Sequence, residues 1–537
     1  MNKRETCKLC FIWTYIIGIA THGFCYFNTT FNHDGSMIYF TDDEWKASLG
    51  RYLTPIYRIF RTRYSAPWLS GVLSLSFLAL CAYLTVRMFC IKRRASIACI
   101  AGLYAVNYSL IITNAFCIHD ADSYMFSVLL AVASAFCIVT KWPVRERIEQ
   151  LDYQGSKKKF SLKVVLRIVV SAILLAGSMA IYQAYVTLSF ALIIVYIIKK
   201  CLENDEIKKT VNTLIESVIM YIAGAVFYIA GLKIYSKVFH IELAEGGHNS
   251  ITTVFSLEGW NIFGGIKKAY DIFIDYFFIV SKFNRYFPVA ANVLVLIFIF
   301  AIVVCFFIRQ KISMANKVVT IIALAIFPAV LGALSLITEV AQLMKVQYIT
   351  VYFIPLAILE IADELDLKVY LKLGLSKVVP AVILVSVFVV QYNAMTFANG
   401  IYLAKTLDYQ ATYDLMGNVI ADIGKVPGYV PGETPVVFIG SPVTASQLNG
   451  QRYGYSNMAE MGDSTHDFYY SITGYYTYQY YVNEIMNINM EIVSVQEAKE
   501  YAENPEVQAM PLYPSVESIK MVDGVVIVKF SANPMPV

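Results

Sequence analysis

The sequence predicts a mainly α-helical, polytopic membrane protein with about eleven transmembrane helices, followed by a small extracytoplasmic C-terminal α/β domain. Three observations carry this prediction. The 537 residues are 58% hydrophobic and only 15% charged, with a mean hydropathy of +0.57, where soluble proteins carry about 25% charge. Eleven apolar runs are found, against the roughly 20 residues needed to cross a bilayer. After the last run, residues 398–537 are too polar to span and alternate strand-like with helical segments.

The first run, 9–28, follows the basic start MNKRETCKLC. It is long for a signal peptide and no small-residue cleavage site follows cleanly, so it reads as an uncleaved span. The loop over 29–66 contains an amphipathic helix: Trp45, Leu49, Tyr52, Ile56 and Ile59 recur at helical spacing, with Lys46, Arg51, Arg58 and Arg61 mostly elsewhere. Such a helix lies in the membrane interface. Spans follow at 67–91, 95–117, 123–140, 163–181 and 184–198, the last two meeting in a tight hairpin at Tyr182-Gln183-Ala184-Tyr185. A span at 212–236 precedes a second long loop, 237–287, in which the aromatic stretch 270–287 reads as another interfacial helix. The remaining spans are 288–308, 317–337, 346–361 and 377–397.

Two domains follow: a membrane domain over 1–397 and a tail over 398–537. Within the tail, 433–442 reads as a strand, 495–505 as a helix, and Asp523-Gly524 between two apolar runs as a hairpin turn. The tyrosine-rich stretch 469–481 suits either stacking on sugar faces or, more plainly, a packed interface with the membrane domain.

Charge placement sets orientation. Lys3, Arg4 and Lys8, then Lys92-Arg93-Arg94, Arg145 and Arg147 with Lys157-Lys158-Lys159, Lys199, Lys200, Lys208 and Lys209, Arg309 and Lys311, and Lys368 and Lys372 fall in alternate connections. These are the cytoplasmic ones, which puts the amino end inside and the tail outside. A net charge of +4 argues against nucleic acid as a partner. The ten cysteines lie between Cys7 and Cys305, nearly all in apolar runs, and read as packing residues rather than a disulfide framework.

Two acidic elements fall on the outer side. One is His33-Asp34 with Asp42-Asp43-Glu44; the other is His119-Asp120-Ala121-Asp122. Helix capping is the plainer reading of Asp120 and Asp122 taken alone. Together, the elements suit transfer of a sugar from a polyprenyl phosphate to a hydroxyl. A carboxylate takes the hydroxyl proton, and a cation or metal stabilises the leaving phosphate. Arg51 is placed either to fork a phosphate or to snorkel from an interfacial helix. Lys345 is a second cation or a flanking anchor. His22 inside the first span reads as a satisfied core residue, and Glu216 and Glu360 as boundary residues. A His-Glu-x-x-His pair, a P-loop and a G-x-S-x-G elbow are all missing from the sequence. Few charges fall within the spans, which disfavours a proton-coupled transporter. The rivals to an enzyme are a flippase of lipid-linked sugars and a non-catalytic glycan-binding scaffold.

The layout resembles the GT-C superfamily of membrane glycosyltransferases, and more closely the bacterial glucosyltransferases of the O-antigen-modifying Gtr type II kind. The residues carrying this are His33-Asp34, Gly50-Arg51-Tyr52, Asp120-Ala121-Asp122 leading into Ser127–Ala131, Tyr182–Tyr185, Asn399–Tyr402, Lys405-Thr406, Tyr409, Pro435–Gly440, Met510–Pro514 and Asp523-Gly524. The resemblance implies inverting transfer of glucose or a similar hexose from undecaprenyl phosphate to a cell-surface glycan on the outer face of the bacterial cytoplasmic membrane. It implies Asp34 as base, with Asp42, Asp43 and Glu44 as rivals. Asp120 and Asp122 would orient the acceptor or a metal. Metal need is left open, with magnesium or manganese the ions in question. His33, Arg51, Asp43, Glu44, Tyr182, Gln183 and Lys345 are assigned to substrate or phosphate binding.

Overall fold

The computed structural model describes residues 2–28, 42–140, 162–244, 262–281, 285–309, 312–338, 340–364, 375–440 and 477–531. Among them, ten helices are long and apolar enough to cross a membrane, and an eleventh apolar stretch, Val346–Ala362, is shorter. The eleven expected runs therefore become ten full-length helices and one short one. The short run opens with a tight 3-10 segment before turning α-helical.

Helix α1 (Lys3–Phe27) starts where the Asn2 side chain accepts the Glu5 amide at 2.8 Å. Its inner face carries the small or polar residues Cys10, Thr14, Gly18, Thr21 and Cys25, which lets a neighbouring helix come close. Two short helices follow, α2 (Asp43–Ser48) and α3 (Leu53–Arg61), and then α4 (Pro67–Met88). A Cβ on Gly18 would fall 2.3 Å from Leu75 of α4.

The third run is broken in two, α5 (Arg94–Ala105) and α6 (Tyr108–Phe116), because the Asn107 side chain accepts the Leu110 amide at 2.8 Å and starts a new helix. Helices α7 (Ala121–Thr140), α8 (Leu162–Ile181), α9 (Val186–Leu202) and α10 (Ile207–Phe239) complete the first half. Serines stitch α7 to α8: Ser127 donates to the Ser178 carbonyl and Ser134 to that of Ser171, both at 2.9 Å. His22 is a satisfied core residue, contacting the Tyr402 hydroxyl at 2.7 Å and the Ala105 carbonyl at 2.8 Å. Glu216 pairs with Arg167 of α8, and Glu360 accepts the Arg93 amide at 2.9 Å.

The second half contains α11 (Ile262–Phe278), α12 (Tyr286–Arg309), α13 (Met314–Leu331), α14 (Thr350–Glu364) and α15 (Leu375–Ile423). The helix expected over 270–287 is α11, which starts earlier and ends at Phe278. Tyr276 lies on Tyr348 at 4.6 Å and meets Tyr108 edge-on at 5.9 Å. Helix α15 also departs from expectation. It does not stop near 397 but runs 49 residues, about 74 Å at 1.5 Å per residue. Its distal end inserts Met416, Val419 and Ile423 into the core of the tail.

That core is covered by a three-stranded sheet of β1 (Val436–Ile439), β2 (Ile519–Val522) and β3 (Val525–Lys529), in order β1-β3-β2. Strands β1 and β3 are parallel, with Val436 opposite Val526; β2 and β3 form an antiparallel hairpin. Asp523 and Gly524 turn it with φ of 49° and 84°, the left-handed pair that a two-residue hairpin needs. Tyr478 stacks on Phe438 at 4.3 Å, and Tyr481 is fully buried. These two tyrosines belong to the core of this sheet unit rather than to a sugar platform or an inter-domain face. The rest of the tyrosine-rich stretch, 469–476, lies outside the described residues.

Candidate active site

The expected interfacial helix over the first loop is two helices, α2 and α3, joined at Gly50 with φ of 80°. That left-handed residue costs a glycine little, and it turns the cationic side of both helices inward. Lys46, Arg51, Arg58 and Arg61 are all buried, while Trp45, Ile59 and Phe60 are exposed, Phe60 to 86%. The apolar stripe predicted from spacing is thereby split: Leu49 and Tyr52 are buried with the cations.

The inward cations meet the acids at the start of α7. Arg58, with no exposed surface, donates to Asp120 at 2.7 Å, to Asp42 at 2.6 Å and to Asp43 at 3.0 Å. Lys46 donates to the other Asp120 oxygen at 2.6 Å and lies 3.6 Å from Asp42. The Tyr57 hydroxyl donates to Asp122 at 2.7 Å, and Arg61 reaches the same oxygen at 3.3 Å while also donating to the His119 carbonyl at 3.0 Å. His119 Nε2 stands 3.5 Å from Asp120. Asp120 and Asp122 therefore serve a buried ion-pair network, and Asp120 is not a helix cap. Breaking such a network is costly because it strands a charge without water.

Burial opposes ionisation of Asp42, but Lys46 and Arg58 overcome it and hold the carboxyl below its ordinary range. Burial likewise opposes the Lys46 ammonium, but Asp120 and Asp42 hold it above its ordinary range. Asp42 thus stabilises the fold above the unfolded carboxylate value near ~3.9, and that contribution fades as pH falls through the lower folded value. Lys46 contributes below ~10.4, and loses that contribution as pH rises through its higher folded value. The fall in melting temperature in detergent below about pH 4 is expected to be shallower in Asp42→Asn than in the parent. An unchanged acid limb in that variant would contradict this assignment.

Arg51 is held differently. It is 8% exposed, so it does not snorkel. Its guanidinium donates to the Tyr124 hydroxyl at 3.2 Å and lies 4.6 Å above the Tyr182 ring. Tyr124, Tyr182 and Tyr185 form an aromatic group with centroids 4.5 and 4.9 Å apart along the series. Among the described residues Arg51 has no ion pair with a carboxylate, and its Nε has no hydrogen-bond partner. The planar fork of a buried guanidinium is matched to an anion that presents two oxygens, such as phosphate or carboxylate.

The structure thus brings Asp43, Arg51, Asp120, Asp122, Tyr182 and Gln183 to one end of the bundle. The Gln183 amide nitrogen is committed to the Leu49 carbonyl at 2.9 Å and the Tyr228 hydroxyl at 3.1 Å. Glu44 is exposed. Lys345 is buried in the segment before α14, whose Leu343 carbonyl accepts the Tyr185 hydroxyl at 3.2 Å. His33 and Asp34 lie outside the described residues. As arranged, Asp120 does not fit a divalent ion, because Lys46 and Arg58 take both its oxygens, while Tyr57 and Arg61 converge on one oxygen of Asp122. No group of three or more His, Cys, Asp or Glu among the described residues is placed to hold a metal. Sequence reasoning missed Tyr57, Tyr124 and Tyr228, and missed that Lys46, Arg58 and Arg61 face the acids. The available signal was Arg58 and Arg61, whose three-residue spacing puts them on one helical face.

Ten apolar helices of spanning length among the described residues mark a multi-pass membrane protein, and the family model that matches it marks a glycosyltransferase. The chain belongs to the GtrII glucosyltransferase family: the family model described as "Glucosyl transferase GtrII" matches residues 23–359, more than half of the sequence. That stretch contains every residue of the cluster, while the tail segments that contributed to the resemblance lie beyond it. No curated protein and no solved structure matches the chain.

Proposed function

We propose that this protein is an inverting hexosyltransferase, moving glucose or a similar sugar from undecaprenyl phosphate to a cell-surface glycan on the outer face of the bacterial cytoplasmic membrane. The observation that carries the reading is the buried Arg51 guanidinium, set on aromatic rings with no ion-paired carboxylate among the described residues. In the reaction, an acceptor hydroxyl oxygen attacks the anomeric carbon while the bond from that carbon to the phosphate oxygen breaks. Asp34 takes the hydroxyl proton. The electron pair of the broken bond leaves on the polyprenyl phosphate, whose growing charge Arg51 receives. Asp120 and Asp122 act through Lys46, Arg58 and Arg61, holding α2 and α3 in place. No step is routed through a metal.

The α2–α3 end and the sheet unit are placed outside, as the alternation of basic loops requires. The test is transfer from purified polyprenyl-phosphate glucose by the protein in detergent or vesicles. Asp34→Asn is expected to lower the rate by about a hundredfold or more with folding intact. A rate within twofold of the parent would remove Asp34 as the base.

A further inference from the structure

Beyond its own contacts with Tyr124 and Tyr182, Arg51 is held by its neighbours in the chain. Leu49 gives its carbonyl to Gln183 at 2.9 Å, and Gly50 gives its carbonyl to the Tyr228 hydroxyl at 3.1 Å. On the other side, the Tyr52 hydroxyl donates to the Tyr228 carbonyl at 3.3 Å, with the two rings stacked at 5.9 Å. Tyr52 fits only because residue 231 on α10 is glycine: a Cβ there would lie 2.3 Å from the Tyr52 hydroxyl oxygen and 2.9 Å from its Cζ. The turn carrying Arg51 is thus clamped on both sides to α10 and to the α8–α9 connection. The guanidinium's hydrogen bond goes to Tyr124 rather than to Tyr228 or Gln183, and Gln183 follows Tyr182, the ring beneath it.

We propose that Gly231, Tyr228 and Gln183 are positioning residues that aim Arg51 at the donor phosphate, and so set donor affinity without touching the donor. This rests on the reading that Arg51 holds that phosphate. A ligand group displaced by about 1 Å loses much of its effect. A methyl group at 231 must displace Tyr52, and with it the adjoining Arg51.

The experiment measures binding of polyprenyl phosphate and donor KM, acceptor KM and kcat for the full-length protein, beside its melting temperature. Tyr228→Phe removes the hydroxyl from Gly50 with no added bulk. It is expected to raise donor KM and polyprenyl phosphate Kd by about fivefold to tenfold, with acceptor KM unchanged and a modest fall in melting temperature, because the Gln183 amide also loses the Tyr228 hydroxyl. Gly231→Ala is expected to do the same more strongly, and Gly231→Ala with Tyr52→Phe to recover part of the loss, because the closest clashing atom is gone. Arg51→Ala is the control. If it weakens polyprenyl phosphate binding while Tyr228→Phe does not, the positioning inference fails and the phosphate reading stands. If Arg51→Ala leaves binding unchanged, the phosphate reading fails. Equal shifts in donor and acceptor KM, or a double variant no better than Gly231→Ala alone, would also overturn the inference.

Discussion

Arg51→Ala is expected to lower kcat/KM for the lipid-linked sugar by about a thousandfold, the scale seen when a preorganised donor to a developing negative charge is removed. The same variant is expected to melt no lower than the parent when no substrate is bound. A guanidinium buried beside phenols, with no ion-paired carboxylate among the described residues, carries its desolvation cost in the resting protein. Removing it relieves that cost and leaves no buried acid stranded. Loss of activity without loss of stability is the mark of a residue kept for its ligand. Arg51→Lys retains charge but not the planar fork, so its expected loss is about tenfold to a hundredfold. A sharp fall in melting temperature for Arg51→Ala would instead make Arg51 a structural cation.

Arg58→Ala is expected to behave in the opposite way. Arg58 has no exposed surface and bridges Asp42, Asp43 and Asp120. Truncation leaves Asp120, itself fully buried, to Lys46, whose ammonium lies 2.6 Å away. Breaking a buried ion pair from one side costs about 3–5 kcal/mol. The prediction is a large fall in melting temperature and in yield from the membrane. Arg58→Ala paired with Asp120→Asn is expected to recover part of the loss, since the stranded charge is gone. A single variant as stable as the parent would contradict the role of the network.

The membrane spans were legible because hydropathy reports directly on what faces lipid. The gathering of Arg51, Asp120, Asp122 and the Tyr182-Gln183 turn at one end follows from counting spans, which alternate ends. What the sequence hid was pairing across distance. Arg58 and Asp120 are 62 residues apart and Lys46 and Asp120 74 apart, and nothing in local spacing joins them. The break at Gly50 also hid the burial of the cations, because one continuous helix would have placed its apolar stripe inward. Helix α15 outran expectation for a related reason. Polarity rises after 397, which ends a span, but no proline interrupts the chain before Ile423, so the helix continues. Met416, Val419 and Ile423, spaced for one helical face, then find a second core.

The most direct measurement is the choice of donor: purified protein is given polyprenyl-phosphate glucose or a nucleotide-linked glucose, with surface glycan as acceptor and product linkage read by NMR. Transfer from the lipid-linked sugar alone, with the anomeric configuration inverted, is the predicted result. Transfer from the nucleotide sugar alone would contradict it.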